Sequence, residues 1–174
     1  MGRHLLTRYV LSLRIDQLLD RHWFLAKYET WWTVGSPSQV YDIEFAVLVL
    51  RLCSYALQFL PSPSYTIDNI VGMDLARIRA SCDGAADTLA LICTQLDETG
   101  SLFRLLHLAF AGLRLACQGR MQMSWATLRD GVGIALRIGL CKKPDDKIAD
   151  PDQDTRKRVL CNLHIWDRHV FPYI

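Results

Sequence analysis

The chain has 174 residues, 51% of them apolar and 22% charged, with a net charge of +2. That length and composition suit one domain with its own core and exclude a chain that is mostly disordered. The charges are interspersed and nearly balanced, which argues against direct nucleic-acid contact, since phosphate binding needs a concentrated basic face.

In chain order, Leu5 to Asp20 carries apolar residues at helical spacing. Its arginines interrupt every apolar run, so it does not read as a secretory signal. Leu6 stands where a myristoylation motif needs Ser or Thr. From His22 to Trp32, Trp23, Phe24, Leu25, Tyr28, Trp31 and Trp32 form an aromatic cluster, read as a second short helix or an extended arm over the core. Gly35-Ser36-Pro37-Ser38 is a break.

Ser38 or Asp42 is placed to start the next helix, and Pro61 to end it. The run from Ile43 to Leu60 approaches the length of a membrane span, yet it contains Glu44, Arg51 and Gln58. A central core helix packed on most sides is expected, with no membrane contact. Ile67 to Leu96 is the next helical region, with Gly72 as a dividing point and Gly84 as a mark of close helix packing.

Ser101 is an N-cap candidate for a helix that places Leu102, Leu105, Leu106, Ala109, Phe110, Leu113, Ala116 and Cys117 on one face. A further helix is expected to bury Trp125, Leu128, Val132, Ala135 and Leu136. Gly139 suits the left-handed residue after its end, with Leu140 folding back as the hydrophobic contact. After a charged loop, Asp150 and Pro151 suit the start of a last helix. Asp152 with Arg156 and Asp154 with Arg158 are acid-base pairs one turn apart, and Val159, Leu163, Trp166 and Val170 form its seam. With no convincing strand, the expected fold is all-α, an irregular stack of helical hairpins with about six helices.

Little chemistry is legible. The six cysteines, Cys53, Cys82, Cys93, Cys117, Cys141 and Cys161, include no CxxC pair, and the histidines are not at zinc-ligand spacing from them. Cys53, Cys93, Cys117 and Cys161 lie in apolar runs and are expected as small buried side chains in a reduced compartment. No phosphate loop, nucleophile elbow or zincin motif is present. A thiol and base pair from Cys161 and His164 is a weak enzyme reading, since both border the apolar seam with no oxyanion device nearby. Asp145-Asp146 and the Arg156-Lys157-Arg158 triplet read as solvated charges.

The order of Trp125, Ala135-Leu136, Gly139-Leu140, a charged loop, Arg156-Lys157-Arg158, Leu163 and Asp167-Arg168 resembles the middle homology region of fungal zinc-cluster transcription factors. The segment 24–31 and the run from Phe45 to Pro61 resemble that family's segments around its first core helix, so the likeness covers Leu18 to the end. On this reading residues 1–174 form a single, partial regulatory domain, with a lead-in helix over 1–17 outside the likeness. Cys141 stands where the family has His, and Leu160-Cys161 where it has two aromatics. The chain stops at Ile174, before the family's usual Gly-Arg-Pro turn. The signature residues are Trp125, Gly139, Leu140, Arg156, Arg158, Asp167 and Arg168, all structural in role.

The resemblance implies a non-catalytic regulatory or interaction domain in the nucleus. Its partners would be other proteins or other parts of the same regulator, and a small-molecule effector. Zinc and DNA contact would belong to a separate DNA-binding module, leaving no cofactor, metal or catalytic residue here. The alternative is a helical small-molecule sensor, which needs an apolar pocket of about 300–1,000 Å³ with a few convergent polar groups. A truncated domain would expose an apolar patch on the 159–171 helix or the Ile43–Leu60 helix.

Overall fold

The computed structural model describes residues 17–35, 37–56, 75–142 and 152–169; of Leu75, Asp167, Arg168 and His169 it describes the helical backbone alone. Six helices make up the described residues: α1 (Arg21–Val34), α2 (Val40–Ala56), α3 (Leu75–Leu96), α4 (Leu102–Cys117), α5 (Met121–Arg137) and α6 (Gln153–His169). The all-α expectation is met. The proposed helix over Leu5 to Asp20 (apart from its last four residues), the Pro61, Gly72, Asp145-Asp146, Asp150 and Pro151 positions, and Val170 lie outside the described residues.

Local sequence explains most helix ends. Asp20 caps α1 by accepting from the Trp23 N–H at 2.9 Å, and that bond holds its carboxyl below the usual carboxylate range. The start of α2 uses Ser38 and Asp42 together. The Asp42 carboxylate reaches back to the N–H groups of Ser38 (2.9 Å) and Gln39 (3.1 Å), the reciprocal half of a capping box. Ser101 accepts from the N–H groups of Phe103 and Arg104 at the start of α4. Gly139, at φ 69°, ends α5 as expected. Its N–H bonds to Leu136 O at 3.1 Å and that of Leu140 to Ala135 O at 2.8 Å, which is the Schellman pattern, and Leu140 is buried beside it.

The helix at the centre is α4. Twelve of its sixteen residues are buried, and it packs against α2 on one side and α5 on the other, with α6 touching both α4 and α5. The sequence placed the Ile43–Leu60 run there instead. In the structure α2 exposes Tyr41, Cys53 and Ala56, and it buries two charged residues, Glu44 and Arg51, among its core positions. The aromatic segment is a helix lying over the junction of α2 and α4. Phe103 meets Trp23, Tyr41 and Phe45, while Phe45 also meets Phe24 and Trp31. Trp31 Nε1 ties α1 to α2 by donating to Asp42 O at 3.1 Å.

Close helix approach is carried by glycines other than the expected one. A Cβ at Gly84 would meet nothing within 4 Å, whereas one at Gly112 would lie 2.8 Å from Leu128 Cγ. There α4 and α5 pack tightly, and Ser124 Oγ donates to the Gly112 carbonyl at 2.8 Å.

Several burial expectations fail for the same reason: helical spacing gives the period of a face but not its phase by a residue. On α5 the buried residues are Ser124, Leu128, Gly131, Ile134 and Ala135. Trp125 is 39% exposed, under the Arg129 guanidinium at 4.6 Å from the ring, and Leu136 is 62% exposed. Cys53 and Cys161 are exposed and Cys117 half-buried, so of the four expected buried thiols Cys93 alone is. Among the described residues, the exposed large hydrophobics of α2 and α6 are Tyr41 and Ile165, while others gather on α3, with Leu91, Ile92 and Leu96, and towards the ends of α1 and α5. Residues 57–60 and the side chains of 167–171, which belong to the two expected patches, lie outside the described residues. The apolar flanks of α2 are covered by α1, α3 and α4. Among the described residues no helix is long and apolar enough to cross a membrane.

Candidate functional site

The chemistry of this fold is concentrated where α2, α3 and α4 meet. On α4, Arg104, His107, Ala111 and Arg114 recur at steps of three and four, so they share one face. That face presents charge to two other helices. Arg104 Nε donates to Glu44 of α2, and both side chains are almost completely buried. The same guanidinium donates to the carbonyls of Asp97 (2.6 Å) and Cys93 (2.8 Å), satisfying acceptors at the end of α3. About two to three turns along, Asp83 of α3 accepts from Ser54 Oγ at 2.7 Å and pairs with Arg114 at 2.7 Å and with Arg51 at 3.5 Å. Arg51 also pairs with Asp87.

Between these two clusters lies His107, 3% exposed, with neither ring nitrogen hydrogen-bonded. Burial first, then the positive charges of Arg51 and Arg104, pull its pKa down to about 3, so the imidazole is neutral at ordinary pH. Each buried polar group left unpaired costs about 1–3 kcal/mol, so this side chain is expensive where it stands.

His107 and Arg104 belong to the floor of a groove of about 770 Å³. Its walls are Ala90, Leu91, Thr94 and Glu98 of the α3 side and Arg129, Asp130, Gly133, Ile134 and Arg137 of α5, with Leu108 also on the floor. This volume falls within the range expected of a small-molecule site.

The described signature residues lie on α5, its terminal cap and α6. Trp125 lies on the surface of α5, and Gly139 and Leu140 form its terminal cap. Arg156 and Arg158 lie on α6, the latter 3.8 Å from the Asp20 carboxylate of the α1 cap. Asp167 and Arg168 are at the end of the helical backbone of α6, and their side chains lie outside the description. Asp152 accepts from Trp23 Nε1 at 2.8 Å and pairs with Lys27 at 3.2 Å, holding α6 to α1. Arg158 and Asp152 thus tie α6 to the start of the chain's first described helix. Cys161 and His164 are both exposed on α6. No group of three or more potential metal ligands occurs among the described residues.

What the described residues define is thus a helical fold with an internal ionic seam and a broad groove. Among curated proteins it is 40% identical over 155 residues to the probable transcription factor sol4 of Alternaria solani, an alignment covering 87% of this chain and 28% of that protein. It is 37% identical over 155 residues to the transcription factor xilB of Penicillium rubens, covering 84% of this chain and 23% of that protein. The chain spans roughly a quarter of the length of these relatives. Its homologues are therefore fungal transcription factors, and it corresponds to one region of them. No family model and no solved structure matches it.

Proposed function

We propose that this chain is a non-catalytic regulatory and interaction domain of a fungal transcription regulator, of the middle-homology type, acting in the nucleus. It tunes the output of a DNA-bound regulator through contacts with other proteins or with other parts of the same regulator. DNA reading, and the zinc it needs, belong to a separate module. The observation that carries this reading is the alignment of more than four fifths of the chain with one region of two fungal transcription factors. The near-neutral charge supports a role apart from the DNA itself. The buried ionic seam supports a domain whose helices hold a fixed register, as a surface for specific contacts requires.

The test fuses this chain to a heterologous DNA-binding module and activation segment and reads a reporter gene. The fusion is expected to change reporter output relative to the module and segment alone, at equal protein level and equal promoter occupancy. Output indistinguishable from that control contradicts the proposal.

A further inference from the structure

We propose that the groove between α3, α4 and α5 binds a small, mainly apolar organic molecule that bears a hydroxyl at its leading end, the hydroxyl meeting His107. The proposal extends the regulatory reading by giving the domain an effector site of stated chemistry.

Three features of the groove set that chemistry. The apolar part is Ala90, Leu91, Leu108 and Ile134, and Leu91 is 61% exposed there, an apolar side chain left facing water. The rim carries two cations, Arg129 and Arg137, and two anions, Glu98 and Asp130, so it selects neither a cationic nor an anionic ligand. The floor carries the specificity. Three donor nitrogens of Arg104 are committed to Glu44, Asp97 O and Cys93 O, and the one buried polar side chain of the floor without a partner is His107.

A neutral imidazole offers one N–H and one lone pair. A hydroxyl can serve either, by accepting from the first or donating to the second. A carboxylate only accepts, and a hydrocarbon does neither. Occupancy by a hydroxylated molecule would thus cover the exposed wall and, with a shift of the floor side chains that opens the buried ring nitrogens, give the imidazole the partner it lacks. Gly133 keeps the α5 wall low: a Cβ there would meet nothing nearer than Arg137 Nη1 at 3.6 Å.

The test uses the whole purified chain and three probes sharing a propylphenyl body: para-propylphenol, propylbenzene and para-propylbenzoate. Binding is read by thermal shift and by the imidazole nitrogen resonances of His107. The phenol is expected to raise Tm, to shift the His107 resonances, and to bind about tenfold more tightly than either of the others, as loss of a buried hydrogen-bond partner implies. His107→Phe is expected to erase the preference for phenol over propylbenzene. Gly133→Phe, which fills the groove from a half-buried position, is expected to weaken the phenol about tenfold. Equal binding of the three probes, no binding of the phenol, or phenol binding unchanged by Gly133→Phe overturns the proposal. So does a Gly133→Phe effect on reporter output with no probe bound, which would assign the groove to a protein segment. Because probe binding is read without transcription, the site can fail while the regulatory reading stands, and the reverse.

Discussion

Replacing Glu44 with alanine is expected to lower the unfolding free energy by about 3–5 kcal/mol, because it strands the Arg104 guanidinium in the core. Both partners are almost completely buried, so water cannot take the place of the lost carboxylate. Domains of this size have about 5–15 kcal/mol in all, so the variant should stand close to unfolding at room temperature. Urea denaturation followed by circular dichroism reads the loss directly. Glu44→Gln keeps an acceptor for Arg104 Nε and is expected to lose less. A loss under about 1 kcal/mol for Glu44→Ala would place the pair among solvent-screened surface bridges and contradict the seam as described.

Acid is expected to unfold the domain through His107. Its pKa is about 3 in the fold against 6.5 for a free imidazole. Between those values the unfolded chain binds a proton that the folded chain refuses, so stability falls as pH drops through that window and rises again toward neutrality. From about pH 7.5 to about pH 5 the expected loss from this one group is about 2 kcal/mol. The variant His107→Phe is expected to lose that slope while other acid-sensitive groups keep theirs. A wild-type slope that survives His107→Phe unchanged would mean that the imidazole is protonated, or absent from the core, in the native state.

The seam is also where the sequence was hardest to read. Helix existence was accessible because spacing, caps and breaks agree: Ser101 opens α4, Gly139 and Leu140 close α5, and Leu102 to Leu113 face inward in the expected order. The position of each face was less accessible. Trp125 and Leu136 have the hydrophobicity of core residues, yet α5 turns Ser124, Gly131 and Ile134 inward, because small residues let it approach α4 at Gly112. Hydropathy cannot reveal that choice, since it depends on what the opposing helix offers. Charged residues raised the opposite problem. Arg104, His107 and Arg114 each interrupt an apolar helix, as do Glu44 and Arg51 seven residues apart, and Asp83 and Asp87 lie one turn apart on the neighbouring helix. Taken singly, such residues read as solvent contacts. Their recurrence at helical steps on three successive helices was the signal of a buried polar face, but pairing them requires knowing which helices adjoin. The groove is legible even less, because its walls come from α3 and α5, which α4 separates in the sequence.

The regulatory role can be separated from DNA reading by one exchange. The 155-residue region of sol4 that aligns with this chain is replaced by this chain, or deleted, within that full-length protein. Promoter occupancy and transcript level are then measured together in the same cells. A regulatory domain predicts that deletion leaves occupancy near its original level while transcript output changes severalfold, and that the exchange restores regulated output in part. Loss of occupancy on deletion, with output simply following it, would assign this region to DNA binding and contradict the regulatory reading.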